Sequence, residues 1–144
     1  MQELVRLLAA PDSAEVAELE AAARAAMAER RGGAALLAEV PPVNDWAALV
    51  TDQRVWVATL DDLVVGYLEL QFHGHIAEVR QVYVHAEARE LGFGDELLAT
   101  AREAARRAGC TVLEGTALPG DRETKNLYER AGIVARKIVL SASL

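Results

Sequence analysis

The spacing of apolar residues changes along the chain, and each change marks a new kind of element. Glu3–Leu8 is apolar enough for a short strand, and Pro11-Asp12-Ser13 follows as turn and helix cap. From Ala14 to about Arg30, Val16, Leu19, Ala23, Ala26, Met27 and Arg30 recur at intervals of three and four, with the glutamates and Arg24 mostly off that line. This predicts an amphipathic helix, closed by Arg30-Arg31-Gly32-Gly33. Ala34–Val43, ending in Pro41-Pro42, reads as a connecting segment. Asn44 or Asp45 then caps a shorter helix with Trp46, Leu49 and Val50 on one face.

From Arg54 the period becomes two. Arg54–Leu60, a tight Asp61-Asp62 turn and Leu63–Phe72 form a predicted hairpin, with Gly66 inside the second strand as a sign of a bulge or a close backbone approach. Phe72-His73-Gly74-His75 is the next turn, and Ile76–Val84 a third, antiparallel strand. Beyond Val84 helix and strand alternate, which implies crossover connections and parallel pairing. The helix Gly92–Ala108 buries Leu97, Leu98, Ala101, Ala105 and Ala108, and Gly109 ends it. Cys110–Ala117 is a strand; Asp121 caps a helix carrying Leu127, Tyr128 and Ala131 to Gly132; Ile133–Ser141 is a final long strand. The expected architecture is α/β (α+β): one domain, residues 1–144, with a mixed, twisted sheet flanked by helices on both faces.

Composition narrows the function. A formal net charge of −7 argues against nucleic acid as the main partner, since phosphate-tracking proteins need a basic face. The single Cys110 rules out an intrachain disulfide, and its apolar neighbours suit an inert thiol better than a nucleophile. There is no His/Cys cluster with metal-ligand spacing, no apolar run of membrane-spanning length and no signal peptide, so the expectation is a metal-free, cytoplasmic protein.

The stretch Val82–Leu98 carries the chemistry. A strand ending Val82-Tyr83-Val84 passes through Arg89-Glu90-Leu91-Gly92-Phe93-Gly94 into a helix, so free backbone N–H groups and the positive end of the helix dipole come together where a phosphate can bind. Glycines at 92 and 94 keep side chains out of the way of close ligand contact. The spacing fits neither GxGxxG nor GxxxxGK[ST].

With this phrase in place the chain resembles the GNAT superfamily of N-acetyltransferases, which use acetyl-coenzyme A. In that family a valine-ended strand leads into Q/R-x-x-G-x-G/A, matched here by Val82, Val84, Arg89, Gly92 and Gly94. A second match is Leu127-Tyr128-Glu129-Arg130-Ala131-Gly132, where the family often carries Leu-Tyr-Glu followed closely by Gly. The resemblance implies the GNAT acyltransferase fold. It also implies that Val82, Tyr83, Val84, Arg89, Glu90, Leu91, Gly92, Phe93, Gly94, Asp121 and Asn126 surround the coenzyme. The chain departs from the family pattern at Glu90-Leu91, at Asp121 and Thr124, and at Ile133 where Phe is familiar, while Asp95 and Glu96 stand in the first helical turn near the expected phosphates.

Amine acetylation needs a deprotonated nitrogen, a polarised thioester carbonyl and a proton for the departing thiolate. The resemblance implies a backbone donor near Val82–Val84 for the carbonyl and Tyr128 for the thiolate. Glu78 lies eleven residues before Arg89 in Ala77-Glu78-Val79, where the histone-acetylating branch carries its base, and partial burial would push its pKa upward. Glu69 is the second choice of base, a water relay the third, and His73 and His75 flank a turn. The function expected is acetyl transfer from acetyl-coenzyme A to a primary amine on a small molecule or peptide. The alternatives are a catalytically inactive coenzyme-binding or protein-interaction module and, from the apolar Ile138–Leu140, a homodimerising unit.

Overall fold

The computed structural model describes residues 4–144. Glu3, at the start of the expected first strand, lies outside the described residues. Five strands form one sheet in chain order: β1 (Val5–Leu7), β2 (Val55–Leu60), β3 (Leu63–His73), β4 (Ile76–Val84) and β5 (Val112–Gly115). The first four pair antiparallel and β5 joins β4 in parallel, as a crossover through a helix requires.

Helices cover both faces. On one lie α1 (Ser13–Ala28), α2 (Gly33–Glu39) and a 3-10 turn over Trp46–Leu49; on the other lie α3 (Phe93–Arg107) and α4 (Arg122–Arg130). The α1 face packs Val16, Leu19 and Trp46 on Val55, Val57 and Tyr67. The α3 face packs Phe93, Leu97, Leu98, Ala101 and Tyr128 on Trp56, Leu68, Leu70 and Val79. Period two along β3 divides Tyr67 and Leu68 between these layers.

Three sequence expectations are corrected. Ala34–Val43 is not simply a connection: Ala34-Ala35-Leu36-Leu37-Ala38-Glu39 is a run of strong helix formers, it makes most of α2, and the two prolines end the helix rather than prevent it. Ile133–Ser141 forms no strand, since β-branched residues make one only where an edge accepts their backbone. On α1, Glu20 is buried beside Val16 and Leu19, while Ala26 is exposed. The second helix after α1 shortens to the 3-10 turn, capped as expected by Asp45, whose carboxylate accepts from the Ala47 N–H at 3.1 Å.

Two register shifts shape the sheet. Ala58 pairs with Gly66 but Thr59 with Val64, so a bulge falls next to Gly66. On the other side Glu69 pairs with Gln81 but Leu70 with Val79, which leaves Arg80 as the extra residue in β4. The β4–β5 ladder ends at Val79↔Gly115, where this second bulge begins. From Arg80 onward β4 has no parallel neighbour, and the two strands part.

Candidate active site

The parting of β4 and β5 leaves backbone groups free. His85 donates its N–H to Val65 O on β3 at 2.7 Å, so alternation along the strand turns the N–H and C=O of Val84 and Val82 to the open side. There the Val84 carbonyl accepts from Arg89 Nε at 3.1 Å. The opening continues into a cleft of about 470 Å³ between the β4–α3 loop and α4, lined by Val82, Tyr83, Val84, Arg89, Glu90 and the first turn of α3 on one wall. Glu123, Thr124, Asn126, Leu127 and Arg130 form the other.

The loop turns into α3 through two left-handed residues, Glu90 at φ 69° and Gly92 at φ 86°. An added Cβ at Gly92 would meet nothing within 4 Å, so backbone conformation and not space requires glycine there. Gly94 differs: a Cβ would come within 3.0 Å of the Leu127 side chain, so this glycine lets α4 close on α3. The α3 ladder starts with Glu96 N–H on Gly92 O at 3.1 Å, and the N–H groups of the residues between have no carbonyl a turn earlier in the helix. Those amides, with the open edge of Val82 and Val84, suit the pyrophosphate and the amide-bearing arm of a coenzyme, and this is the fit the cleft offers.

Arg89 is fixed on three sides. Besides Val84 O it pairs with Glu123 at 3.0 Å and lies over the Tyr83 ring, 5.4 Å from the centroid. Leu91 is exposed and Asp121 serves as the α4 cap, accepting from Thr124 N–H at 3.2 Å and Thr124 Oγ1 at 2.7 Å; neither lines the cleft. Every other expected coenzyme residue does. Arg130 and Glu123 were not singled out as coenzyme residues by the sequence, although each stands about one helical turn from Asn126.

Tyr128 and Glu78 both stand near the point where β4 and β5 separate, Tyr128 on the α3 face and Glu78 on the β4 strand beside it. Tyr128 is buried under Gly115, where a Cβ would stand 2.2 Å from the phenol oxygen. Burial first, and then the negative charges of Glu78 and Asp121, push its pKa well above the usual phenol value. Glu78 lies level with Glu114 of β5, one residue before the last pair. Glu78 is partly buried, as expected: its side chain is 40% exposed and bonds His73 Nε2 at 3.1 Å. The arginine that could have paired it, Arg80, turns instead to Glu69 at 2.9 Å and to the Pro41 carbonyl at 2.8 Å.

On the α1 face of β4 stands a buried polar network. Gln81 Nε2 donates to Glu20 Oε2 at 2.8 Å and to Glu69 Oε1 at 3.1 Å, and its oxygen accepts from the Tyr67 hydroxyl at 2.9 Å. Glu20 also accepts from Val43 N–H at 3.2 Å. The network adjoins the cleft through Tyr83, whose ring centroid is 6.5 Å from that of Tyr67. Glu20 escaped sequence reading although it stands four after Val16, on the buried side of α1, because a glutamate is seldom buried unless paired and its partners lie on distant elements. Among the described residues no group of three or more His, Cys, Asp and Glu is placed to hold a metal ion.

Residues 51–132, more than half of the chain, match the family described as acetyltransferase (GNAT) domain. No curated protein matches the sequence. Solved structures share the fold at low identity. A mutant of the BH1408 protein from Bacillus halodurans superposes with TM-score 0.79 at 17% identity, covering 99% of both chains. The ribosomal-protein-alanine N-acetyltransferase from Brucella melitensis biovar Abortus 2308 gives 0.63 at 21%, covering 97% of both. The aminoglycoside N-acetyltransferase AAC(6')-Iy, in complex with CoA, gives 0.68 at 11%, covering 97% of this chain and 98% of that one.

Proposed function

The chain belongs to the GNAT acetyltransferase family, and from that premise we propose that it transfers an acetyl group from acetyl-coenzyme A to a primary amine by direct attack of the amine. The observation that carries this reading is the cleft itself: the open edge of β4 at Val82 and Val84 runs straight into the left-handed turn and free amides at the start of α3. When bound there the coenzyme supplies an activated acyl group as a thioester. The Gly92–Asp95 amides and Arg89 would hold its phosphates, with Asn126 and Thr124 forming the opposite wall.

The residues of the chain divide the remaining work. The N–H groups of Val82 and Val84 point to where a carbonyl oxygen gains charge. Tyr128, held protonated by its surroundings, donates to the departing sulfur. The proton lost by the attacking nitrogen passes to Glu78, directly or through water, with Glu69 as the second acceptor on the face shared by Tyr83 and Gln81. Cys110 forms no acyl intermediate in this scheme, since it sits beyond α3 with its N–H on Ala105 O at 3.0 Å. Acceptors such as the aminoglycosides and ribosomal protein of its structural neighbours' names mark the class of amine to try first. Titration calorimetry with coenzyme A, followed by a thioester-consumption assay against an amine panel, tests the proposal. Heat of binding together with turnover of one amine class is the expected result; a chain that binds no coenzyme sinks it.

A further inference from the structure

The charges lining the cleft run against its proposed ligand. Two are positive, Arg89 and Arg130, and three negative, Glu90, Asp95 and Glu123. Both cations are engaged. Arg89 pairs with Glu123 at 3.0 Å and Arg130 Nε with Asp95 at 3.0 Å, and each pair joins the β4–α3 side of the cleft to α4. Asp95 stands in the first turn of α3, beside the amides that suit a phosphate, so its carboxylate lies where anionic oxygens are favoured. All four side chains are partly exposed, between 34% and 63%, and ion pairs so exposed are weak and exchange readily.

We propose that Glu123 and Asp95 are counter-ions that the coenzyme displaces, and that Arg130, paired across the cleft, is a phosphate ligand of this chain alongside Arg89. The inference rests on the reading that the cleft takes coenzyme A. On binding, the two guanidinium groups pass from carboxylate to phosphate, and the released carboxylates remain as like charges beside the ligand. The two acids therefore lower the affinity of the site and set the concentration at which it fills. Their removal strengthens binding, the reverse of what is expected for residues that line a site and contact its ligand.

The α4 wall does not depend on these pairs alone. Leu127 packs on Gly94 and the Arg102 guanidinium donates to the Ala131 carbonyl, so neutral variants keep the helix in place. Calorimetry with coenzyme A at low and moderate salt, with thermal melts of each variant lacking ligand, tests the inference. Glu123→Gln and Asp95→Asn should each lower Kd about three- to tenfold at low salt, the effect of removing one like charge a few ångströms away in a largely aqueous cleft. The gain should shrink at higher salt. Arg130→Gln should raise Kd about tenfold. Unchanged or weaker binding in both acid variants with parental melting temperatures overturns the counter-ion role, and parental affinity in Arg130→Gln overturns the ligand role. A parent chain that gives no heat with coenzyme A would instead remove the reading of the cleft on which the inference stands.

Discussion

A phenol buried beneath a glycine and close to two carboxylates stays protonated far into the alkaline range, so Tyr128 is a proton donor whose availability does not vary with working pH. Tyr128→Phe keeps the ring and its packing while removing the donor. The expected result is a fall in kcat of about 100-fold with coenzyme affinity and melting temperature close to the parent. Steady-state kinetics beside calorimetry checks it, and an unchanged kcat would leave Tyr128 as a core residue only. Asp12 shows the opposite shift. The Arg6 guanidinium, at 2.7 and 2.9 Å, outweighs burial and, with the Ala9 N–H, holds the carboxyl below its usual range. A depressed folded pKa contributes stability that is fully present above the unfolded value near 4 and is lost as pH falls through the folded one. Asp12→Asn should therefore cost about 2 kcal/mol at neutral pH, with the gap to the parent closing on acidification; melts from pH 7 to 2.5 measure it. Residues of this kind divide what the sequence discloses. Tyr128 and Arg89 are legible because a motif fixes their neighbours. Glu20, Arg130 and Glu123 are not, because their partners come from elements 34 to 61 residues away.

The β4–α3 connection is the element on which the site depends, and its geometry follows from two requirements in eight residues. The chain must leave a strand whose outer edge is open, and it must begin a helix with its first amides unobstructed. Left-handed backbone at Glu90 and Gly92 accomplishes the turn. Glu90 bears the cost of that conformation as a residue with a side chain, whereas Gly92 does not. Gly92→Ala should lower stability by about 1 kcal/mol, a shift of roughly 2–4 °C for a chain of this size, and weaken coenzyme binding because the first amides of α3 lose their alignment. A melt and a titration on the same sample check both, and parental values in both would show that an L-residue fits the turn without strain. Apolar period sufficed for β2, β3, β4 and α3, where long amphipathic runs leave little choice. It failed for α2, where two prolines drew attention from the helix-forming run before them. The bulge at Arg80 was also beyond it, because the extra residue in β4 becomes visible only when the partners on β3 are known.

At the scale of the molecule, the order of strands and the single parallel step follow from the element order read in the sequence, and these place the cleft at the carboxyl end of β4. The final segment breaks the correspondence. Ile138, Val139 and Leu140 spell a strand, yet in the structure they are 78%, 81% and 89% exposed, and β5 is left as an edge. Ile133 packs on the α3-side core and Arg136 pairs with Glu114 at 3.1 Å, which holds the chain against β5 only as far as that residue. Side chains left in water contribute little burial energy, and a backbone outside the sheet contributes no ladder bonds. A chain ending at Arg136 should therefore melt within about 2 °C of the parent and bind coenzyme A with the same affinity, since none of Lys137–Leu144 lines the cleft. A drop of many degrees on that truncation would mean that the segment adds to the sheet after all, with the apolar pattern of the sequence as the better guide to this one element. Differential scanning calorimetry of the two chains, each at two concentrations, decides between a segment outside the sheet and a sixth strand. A concentration-dependent melting temperature in the parent alone would show that the strand is completed by a second copy.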